Sequence, residues 1–217
     1  MDRDAMHEPW HQRWRDGRIG FHRDDVHPML EYFWSRLELG GDETVFVPLA
    51  GKSLDMRWLA ERGHRVLAVE LSAIAARQFF DEWGTPALVE KRDDFAVHHA
   101  RGVEIWVGDV FDLRPEHLAR VGAFYDRASV VALDRATRER YATHLASILP
   151  GGTRGLLIGL ESMQPDDQGP PFSVPQEEVG RLFDAAFDHE VLLKPNPKSA
   201  PEVRALFEHV HRLERRP

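Results

Sequence analysis

A strand–turn–helix–strand pattern over residues 44–70 constrains the fold of this chain more than any other stretch of its sequence. An apolar run predicts the first strand, Gly51 follows in a tight turn, and apolar residues at helical spacing predict a helix that Gly63 ends. A second apolar, β-branched run then ends in Glu70. Units of this kind bind nucleosides, because the turn and the helix start hold a polar group while the acid accepts hydrogen bonds from ribose hydroxyls.

The turn itself limits which nucleotides are expected. Gly51-Lys52-Ser53 resembles the end of a phosphate-binding loop, but Phe46 stands where that motif needs its first glycine, which argues against an NTPase. A single glycine also falls short of the dinucleotide fingerprint, which argues against a nicotinamide-dependent reductase. Adenosine with a tail that lacks phosphate fits this turn better. The alternative for Glu70 is a solvated residue that caps a turn.

Three further residues end later strands on the same predicted edge. Asp109 can accept the adenine amino group while Val110 lies on the ring, although a plain Gly-Asp turn is nearly as good an interpretation. Arg127 follows Asp126 at the end of the fourth strand and brings a cation to pair with a carboxylate or an anionic substrate. A salt bridge to Asp126 or Glu70 is the structural alternative.

Composition narrows the class of protein. The 217 residues carry a net charge of -8, which argues against a nucleic-acid-binding protein, and they include no cysteine, which excludes disulfides and thiolate chemistry. No apolar stretch is long enough to span a membrane, and the charged N-terminus does not resemble a signal peptide. We therefore expect a cytoplasmic protein that acts on small molecules, and the scattered surface charge favours a monomer.

From residue 44 onward, strand and helix patterns alternate, which predicts a parallel sheet covered on both faces. Strands are predicted over 44–48, 65–70, 103–108, 121–126, 154–160, 187–193 and 203–212. Helices are predicted over 27–37, 53–62, 73–83, 115–119, 134–148 and 175–185. The last two strands form an antiparallel hairpin in this prediction. The Pro-rich loop 164–175 follows a strand end, so it is either a ligand-binding loop or a stiff surface connection.

A zinc-protease pattern occurs by letters at the N-terminus, where His7-Glu8-Pro9-Trp10-His11 is found. That chemistry needs both histidines on one face of a regular helix, and Pro9 is expected to break the preceding turn. We therefore predict no metal site in this chain.

Several long motifs in order resemble the bacterial thiopurine S-methyltransferase family over residues 10–195. They are Trp10-x-x-x-Trp14 with Gly17-Arg18-Ile19-Gly20-Phe21-His22, Val47-Pro48-Leu49-Ala50-Gly51-Lys52-Ser53-x-Asp55-Met56-x-Trp58-Leu59, Phe111-Asp112-Leu113, Tyr125-Asp126-Arg127-Ala128, and Gly169-Pro170-Pro171-Phe172-x-Val174-Pro175. Two features depart from the family. Ala50 replaces the usual cysteine, which affects packing only, and residues 199–214 match weakly, which leaves the acceptor least defined.

The resemblance implies a class I methyltransferase fold, a Rossmann-like α/β domain whose seven-stranded, mostly parallel sheet ends in an antiparallel hairpin. It implies one domain over residues 1–217, with 1–43 as a lid over the core 44–217, and S-adenosylmethionine as cofactor, released as S-adenosylhomocysteine. The cofactor-binding residues implied are Trp10, Trp14, Phe21, Leu49, Gly51, Glu70, Asp109, Val110 and Arg127. Arg127 is also the candidate catalytic residue, stabilising the acceptor or the methionine carboxylate.

The function implied is methylation of a thiopurine or a similar small heterocyclic thiol, in a detoxification role. Two alternatives stay open from the sequence. The same fold can methylate selenium or tellurium oxyanions, halides or another soft nucleophile, or the chain can be a nucleoside-binding domain without turnover.

Overall fold

The computed structural model describes residues 3–162, 169–194 and 206–217, and the chain divides into two compact units. Residues up to His27 and Gly41–Leu113 form the first unit. Pro28–Gly40 and the residues from Arg114 onward form the second unit.

The first unit contains five strands, in the spatial order β3-β4-β5-β2-β1. They are β1 (Thr44–Val47), β2 (Arg65–Glu70), β3 (Leu88–Arg92), β4 (Phe95–Ala100) and β5 (Val103–Val107). Parallel pairing joins β1 to β2 and β2 to β5, whereas β3, β4 and β5 pair antiparallel. The three parallel strands therefore end at one common edge, where ligands bind in open α/β sheets.

Three helices belong to the first unit: α1 (Arg3–Arg15), α3 (Asp55–Glu61) and α4 (Ala73–Glu82). The inner faces of α3 and α4 follow the helical period, so that Met56 and Leu59 on α3 and Phe79 on α4 are fully buried against the apolar strands. A 3-10 turn, Val110–Asp112, follows the end of β5.

The second unit contains four strands, in the spatial order β6-β7-β9-β8. They are β6 (Val121–Arg127), β7 (Arg154–Ser162), β8 (Phe187–Leu193) and β9 (Leu206–Arg215), and the helices are α2 (Pro28–Phe33), α5 (Ser129–Ala132), α6 (Arg135–Ile148) and α7 (Gln176–Phe183). Two further 3-10 helices cover Trp34–Leu37 and Pro115–Leu118. Strands β6 and β7 are parallel, and β9 pairs antiparallel with both β7 and β8.

The buried guanidinium of Arg138 holds several parts of the second unit together. Its nitrogens donate to the carbonyls of Val130 (2.7 Å) and Leu133 (3.0 Å) and to the carboxylate of Glu178 (2.5 Å). Arg138 on α6 thereby connects α5 and the start of α7, and satisfies carbonyls that the short α5 leaves without helical partners.

Most of the predicted elements are confirmed, including the parallel strands and the C-terminal hairpin of β8 and β9. The strand count is corrected from seven to nine in the described residues, because 88–100 forms a hairpin that the sequence analysis did not assign. The expectation that Pro9 breaks the N-terminal helix is wrong. Helix α1 continues through Pro9, which costs one backbone hydrogen bond within 13 residues.

Three predictions fall partly outside the described residues: 164–168 of the Pro-rich loop, 195–201 of the hairpin connection, and 203–205 of the last strand. Among the helices that the structure describes, none has the length and apolar character needed to cross a bilayer.

A buried carboxyl group lies in the core of the second unit. Asp126 is fully buried, and the hydroxyl of Tyr141 donates to its Oδ2 at 2.7 Å. Burial raises the pKa of Asp126 from 3.8 to about 6, and hydrogen bonds from Tyr141 and Ser129 offset only part of that increase. The same burial, with Asp126 nearby, raises the pKa of Tyr141 well above its usual value.

This shift makes the stability of the fold depend on pH. Because the folded state holds the Asp126 proton more tightly than the unfolded state, stability is lost as pH rises from about 4 to about 6. Asp126→Asn removes that titration while keeping an acceptor for Tyr141. The variant should therefore gain up to about 3 kcal/mol in free energy of unfolding relative to wild type over this range.

Urea denaturation at pH 4, 5, 6 and 7 measures this difference. The control is Asp188→Asn, whose carboxylate on β8 is exposed. It should keep the wild-type pH dependence between pH 5 and 7. A difference between Asp126→Asn and wild type that stays constant from pH 4 to 7 would contradict the assignment.

Candidate active site

The turn between β1 and α3 has an unusual backbone. Leu49 and Gly51 both adopt left-handed conformations, with φ of 45° and 55°. This region suits glycine but is costly for leucine, and such strain persists only where the surroundings enforce it. The amide of Ala50 donates to the carbonyl of Val69 at 3.0 Å, which ties the turn to the end of β2.

Glu70 closes β2 and is 7% exposed. Its Oε2 accepts a hydrogen bond from the amide of Gly51 (2.8 Å), and its Oε1 accepts one from the amide of Ser72 (2.8 Å). Burial raises the pKa of Glu70, and the backbone hydrogen bonds lower it in part. Each carboxylate oxygen can accept a second hydrogen bond, so the group is fixed in position and still able to bind two hydroxyls.

The end of β5 lies beside the end of β2. The amide of Gly108 donates to the carbonyl of Glu70 at 3.0 Å, and Asp109 and Val110 follow directly. Asp109 Oδ1 accepts from the amide of Phe111 at 2.9 Å and so caps the 3-10 turn. The turn-forming interpretation of Asp109 is therefore correct for one oxygen, while Oδ2 faces the N-terminal helix.

One face of α1 lies over this edge. His7, Trp10 and Trp14 are spaced by three and four residues, which places them on the same side of the helix. His7 Nε2 is 3.1 Å from Asp109 Oδ2, at the end of β5. A methyl group built on Gly51 would lie 3.5 Å from Trp14 Cζ2, so the indole also reaches the turn after β1.

Phe21 completes an aromatic cluster with this helix. Its ring meets Trp10 and Trp14 edge-on, with centroids 5.9 and 5.8 Å apart. The N-terminal segment is then anchored at its far end, where the amide of His27 donates to the buried carboxylate of Asp55 at 2.8 Å. Residues 7–27 thus contact the rest of the first unit near both of their ends.

Arg127 ends β6 in the second unit and is half-buried. Ala128 after it is left-handed, with φ of 68°, and Asp126 before it points into the core onto Tyr141. The backbone on both sides of Arg127 is therefore tightly constrained.

The first unit brings together eight of the nine sequence-predicted site residues, and Arg127 belongs to the second unit. Those eight are Trp10, Trp14, Phe21, Leu49, Gly51, Glu70, Asp109 and Val110. Sequence reasoning missed His7 as part of this cluster, although its spacing from Trp10 and Trp14 was available as a signal. In the described residues, no group of three or more candidate metal ligands comes together, and His7 contacts Asp109 instead.

These residues suit an adenosine-containing ligand. A buried carboxylate with spare acceptor capacity fits a ribose, and a buried apolar Val110 beside the carboxylate of Asp109 fits an adenine ring and its amino group.

Comparison with known proteins agrees with this geometry. The chain is 46% identical over 211 residues to a thiopurine S-methyltransferase of Pseudomonas entomophila, covering 95% of this chain and 98% of that protein. It is 48% identical over 185 residues to one of Pseudomonas fluorescens, covering 85% of each.

A solved structure shares the fold at low sequence identity. The Burkholderia thailandensis 1,6-didemethyltoxoflavin-N1-methyltransferase, with 1,6-didemethyltoxoflavin and S-adenosylhomocysteine bound, superposes with a TM-score of 0.70 at 20% identity. The match covers 98% of this chain and 88% of that one. The family profile described as Thiopurine S-methyltransferase (TPMT) matches residues 5–216, and the chain belongs to this family.

Proposed function

We propose that this protein transfers the methyl group of S-adenosylmethionine to the sulfur of a thiopurine or a similar small heterocyclic thiol. Membership of the family supports the type of reaction, which is S-methylation with S-adenosylmethionine as the methyl donor. The observation that supports cofactor binding is the position of the Glu70 carboxylate, which accepts hydrogen bonds from the amides of Gly51 and Ser72 at 2.8 Å each.

In this proposal Glu70 accepts the two ribose hydroxyls, and Asp109 and Val110 bind the adenine. The left-handed turn at Leu49 and Gly51 lets the backbone approach the ligand closely. When bound, S-adenosylmethionine would supply an electrophilic methyl group, and the acceptor sulfur would bond to that carbon in line as the carbon's bond to the donor sulfur breaks. The chain aligns the two partners and excludes water, and the proton of a neutral thiol leaves to solvent.

Helix α1 and Phe21 act as the lid. Its support is the pair of contacts from one helix face, His7 to Asp109 and Trp14 to the turn at Gly51. Indole faces attract a sulfonium cation through the ring quadrupole, which favours the methyl donor over its neutral product.

We further propose that Arg127 stabilises an anionic acceptor or the methionine carboxylate. Support comes from its place at the carboxyl end of β6 and from the constrained backbone around it. Guanidinium groups bind carboxylates and other planar anions through paired hydrogen bonds.

The protein is proposed to work as a single-domain cytoplasmic monomer on small molecules. A net charge of -8 disfavours binding to nucleic acid, and the absence of cysteine fits a reducing compartment.

The proposed reaction is tested by incubating the protein with S-adenosylmethionine and 6-mercaptopurine and measuring S-adenosylhomocysteine. Selenite, tellurite, iodide and a buffer blank are run in parallel to identify the acceptor class. Product with the heterocyclic thiol supports the proposal. Cofactor binding without product from any acceptor would contradict it and favour a nucleoside-binding domain.

A calorimetric binding measurement tests Glu70, because Glu70→Gln should weaken the binding of S-adenosylhomocysteine about tenfold to a hundredfold. The amide keeps one acceptor oxygen, so it loses one charge-assisted hydrogen bond to the ribose, worth about 1.5–3 kcal/mol. Glu61→Gln, at an exposed position on α3, is the matched control and should bind as wild type does. Equal affinity in Glu70→Gln and Glu61→Gln would contradict the role of Glu70.

Replacing Arg127 tests the proposed acceptor contact. Arg127→Ala should reduce kcat/KM about tenfold to a hundredfold, because a charged hydrogen bond is lost, and Arg127→Lys should retain part of the activity. Arg120→Ala, which removes an exposed arginine of the same unit, should leave kcat/KM unchanged. Full activity in Arg127→Ala, with thermal stability measured alongside, would refute the role.

A further inference from the structure

Three histidines of the second unit form a continuous hydrogen-bonded chain. Asp184 Oδ1 lies 2.8 Å from His189 Nδ1, and His189 Nε2 lies 2.6 Å from His211 Nδ1. His211 Nε2 then lies 2.6 Å from His209 Nδ1, and His209 Nε2 lies 2.8 Å from the carbonyl oxygen of Val174. We call these three side chains the imidazole chain.

The imidazole chain runs from the surface into the core. Asp184 is exposed at the end of α7, His189 on β8 is 11% exposed, and His211 and His209 on β9 are fully buried. His209 fits because β7 has Gly159 opposite it, where an added methyl group would lie 2.2 Å from the imidazole Cε1. The sequence therefore provides room for a buried ring at this position.

The direction of the hydrogen bonds follows from the two ends and from the neutral state of the two buried rings. A carbonyl only accepts, so His209 donates from Nε2 to Val174, and because burial keeps its ring neutral it accepts at Nδ1. His211 in turn donates from Nε2 and accepts at Nδ1, and His189 donates from Nε2. Since the Asp184 carboxylate also only accepts, His189 donates from both nitrogens and is an imidazolium.

Proton counting gives the same result. The chain has four hydrogen bonds, whereas three neutral imidazoles carry only three N–H groups. One additional proton completes it, and the charge lies at His189 beside Asp184. Burial lowers the pKa of His209 and lowers that of His211 to about 3, so both inner rings stay neutral.

The inner end of the chain holds a segment at the carboxyl end of β7. The amide of Val174 donates to the carbonyl of Leu160 (2.8 Å), and Ser173 Oγ accepts from the amide of Ser162 (2.9 Å). The amide of Phe172 donates to the carbonyl of Val131, 2.7 Å away on α5. Residues 172–174 therefore cover the ends of β7 and α5, at the edge where ligands bind in open α/β sheets.

We propose that His189, His211 and His209 are positioning residues that fix residues 172–174 as a wall of the acceptor-binding site, and that they do so fully only when the chain holds its additional proton. This inference rests on the proposed methyl-transfer function. Loss of the proton leaves three N–H groups for four hydrogen bonds. The missing hydrogen bond can be any of the four, including the one from His209 to the carbonyl of Val174.

The surrounding charges favour the protonated chain. Glu161 on β7 and Glu177 on α7 face His209, and Asp184 faces His189. Glu190 and Arg212 are neighbours of His189 and His211 along their strands and point to the opposite face of the sheet. A second added proton is excluded, because both nitrogens of one ring-to-ring contact in the imidazole chain would then carry a hydrogen.

The protonation state of the imidazole chain is tested by ¹⁵N-histidine NMR of the full-length protein between pH 5 and 9. We expect one titration step for the imidazole chain as a whole, with His209 and His211 neutral and protonated on Nε2 on its acid side. Hydrogen exchange at the amide of Val174 should speed up as the step is passed. Double protonation of His209 or His211, or an uncharged His189 at every pH, would overturn the proposal.

Kinetics tests the positioning role. The KM for 6-mercaptopurine should rise about fivefold above the NMR step, in line with one lost hydrogen bond, while the Kd of S-adenosylhomocysteine stays constant. His189→Gln supplies an amide donor that does not titrate, so its KM should stay low and independent of pH. His189→Leu should show the raised KM at every pH.

His144→Gln, at a histidine on α6 outside the chain, is the control and should keep the wild-type pH profile. A KM that ignores the NMR step would overturn the positioning role while methyl transfer stands. If no acceptor is methylated, the proposed function fails. The NMR and hydrogen-exchange results still decide whether the imidazole chain fixes residues 172–174.

Discussion

The site depends on the hydrogen bonds that two backbone amides donate to the Glu70 carboxylate. Gly51 and Ser72 come from two different connections, one before α3 and one before α4, and both donate to the same side chain. A buried carboxylate is costly unless it is hydrogen-bonded. The fold satisfies it with backbone donors whose positions are set by strand ends, which leaves the group rigid and still able to accept from a ligand.

The same edge determines where the N-terminal helix lies. On one face of this helix, Trp14 reaches the turn at Gly51 and His7 contacts Asp109. At the other end of the N-terminal segment, the amide of His27 donates to the buried Asp55. In the proposed function this segment is the lid, and it contacts the turn at Gly51 and Asp109 at the end of β5. Family membership agrees with the use of S-adenosylmethionine, and ligands in folds of this class bind at the carboxyl ends of the strands.

Local patterns predicted much of this structure. The β1–α3–β2 unit has apolar runs, a helical period and a glycine stop within 27 residues, and each of these agrees with the others. The β3–β4 hairpin was not assigned, because the exposed strand Leu88–Arg92 carries Glu90, Lys91 and Arg92 and has no apolar face for a pattern to reveal. Helix α1 was missed because Pro9 and the polar residues hide the stripe formed by Trp10 and Trp14.

Interactions between distant residues were beyond any local pattern. The imidazole chain joins positions 184, 189, 209 and 211 through strand pairing, and Gly159 is informative only once β7 lies beside β9. The raised pKa of Asp126 likewise follows from its complete burial beside Tyr141. The single-domain assignment and the roles of individual site residues stay predictions.

A crystal structure of the protein with S-adenosylhomocysteine would show directly whether Glu70 binds the ribose. We expect both ribose hydroxyls on the Glu70 carboxylate, with the Gly51 and Ser72 amides still bound to it and the indole of Trp14 above the ligand. A ligand bound elsewhere, or a Glu70 side chain turned away from the sugar, would contradict this expectation.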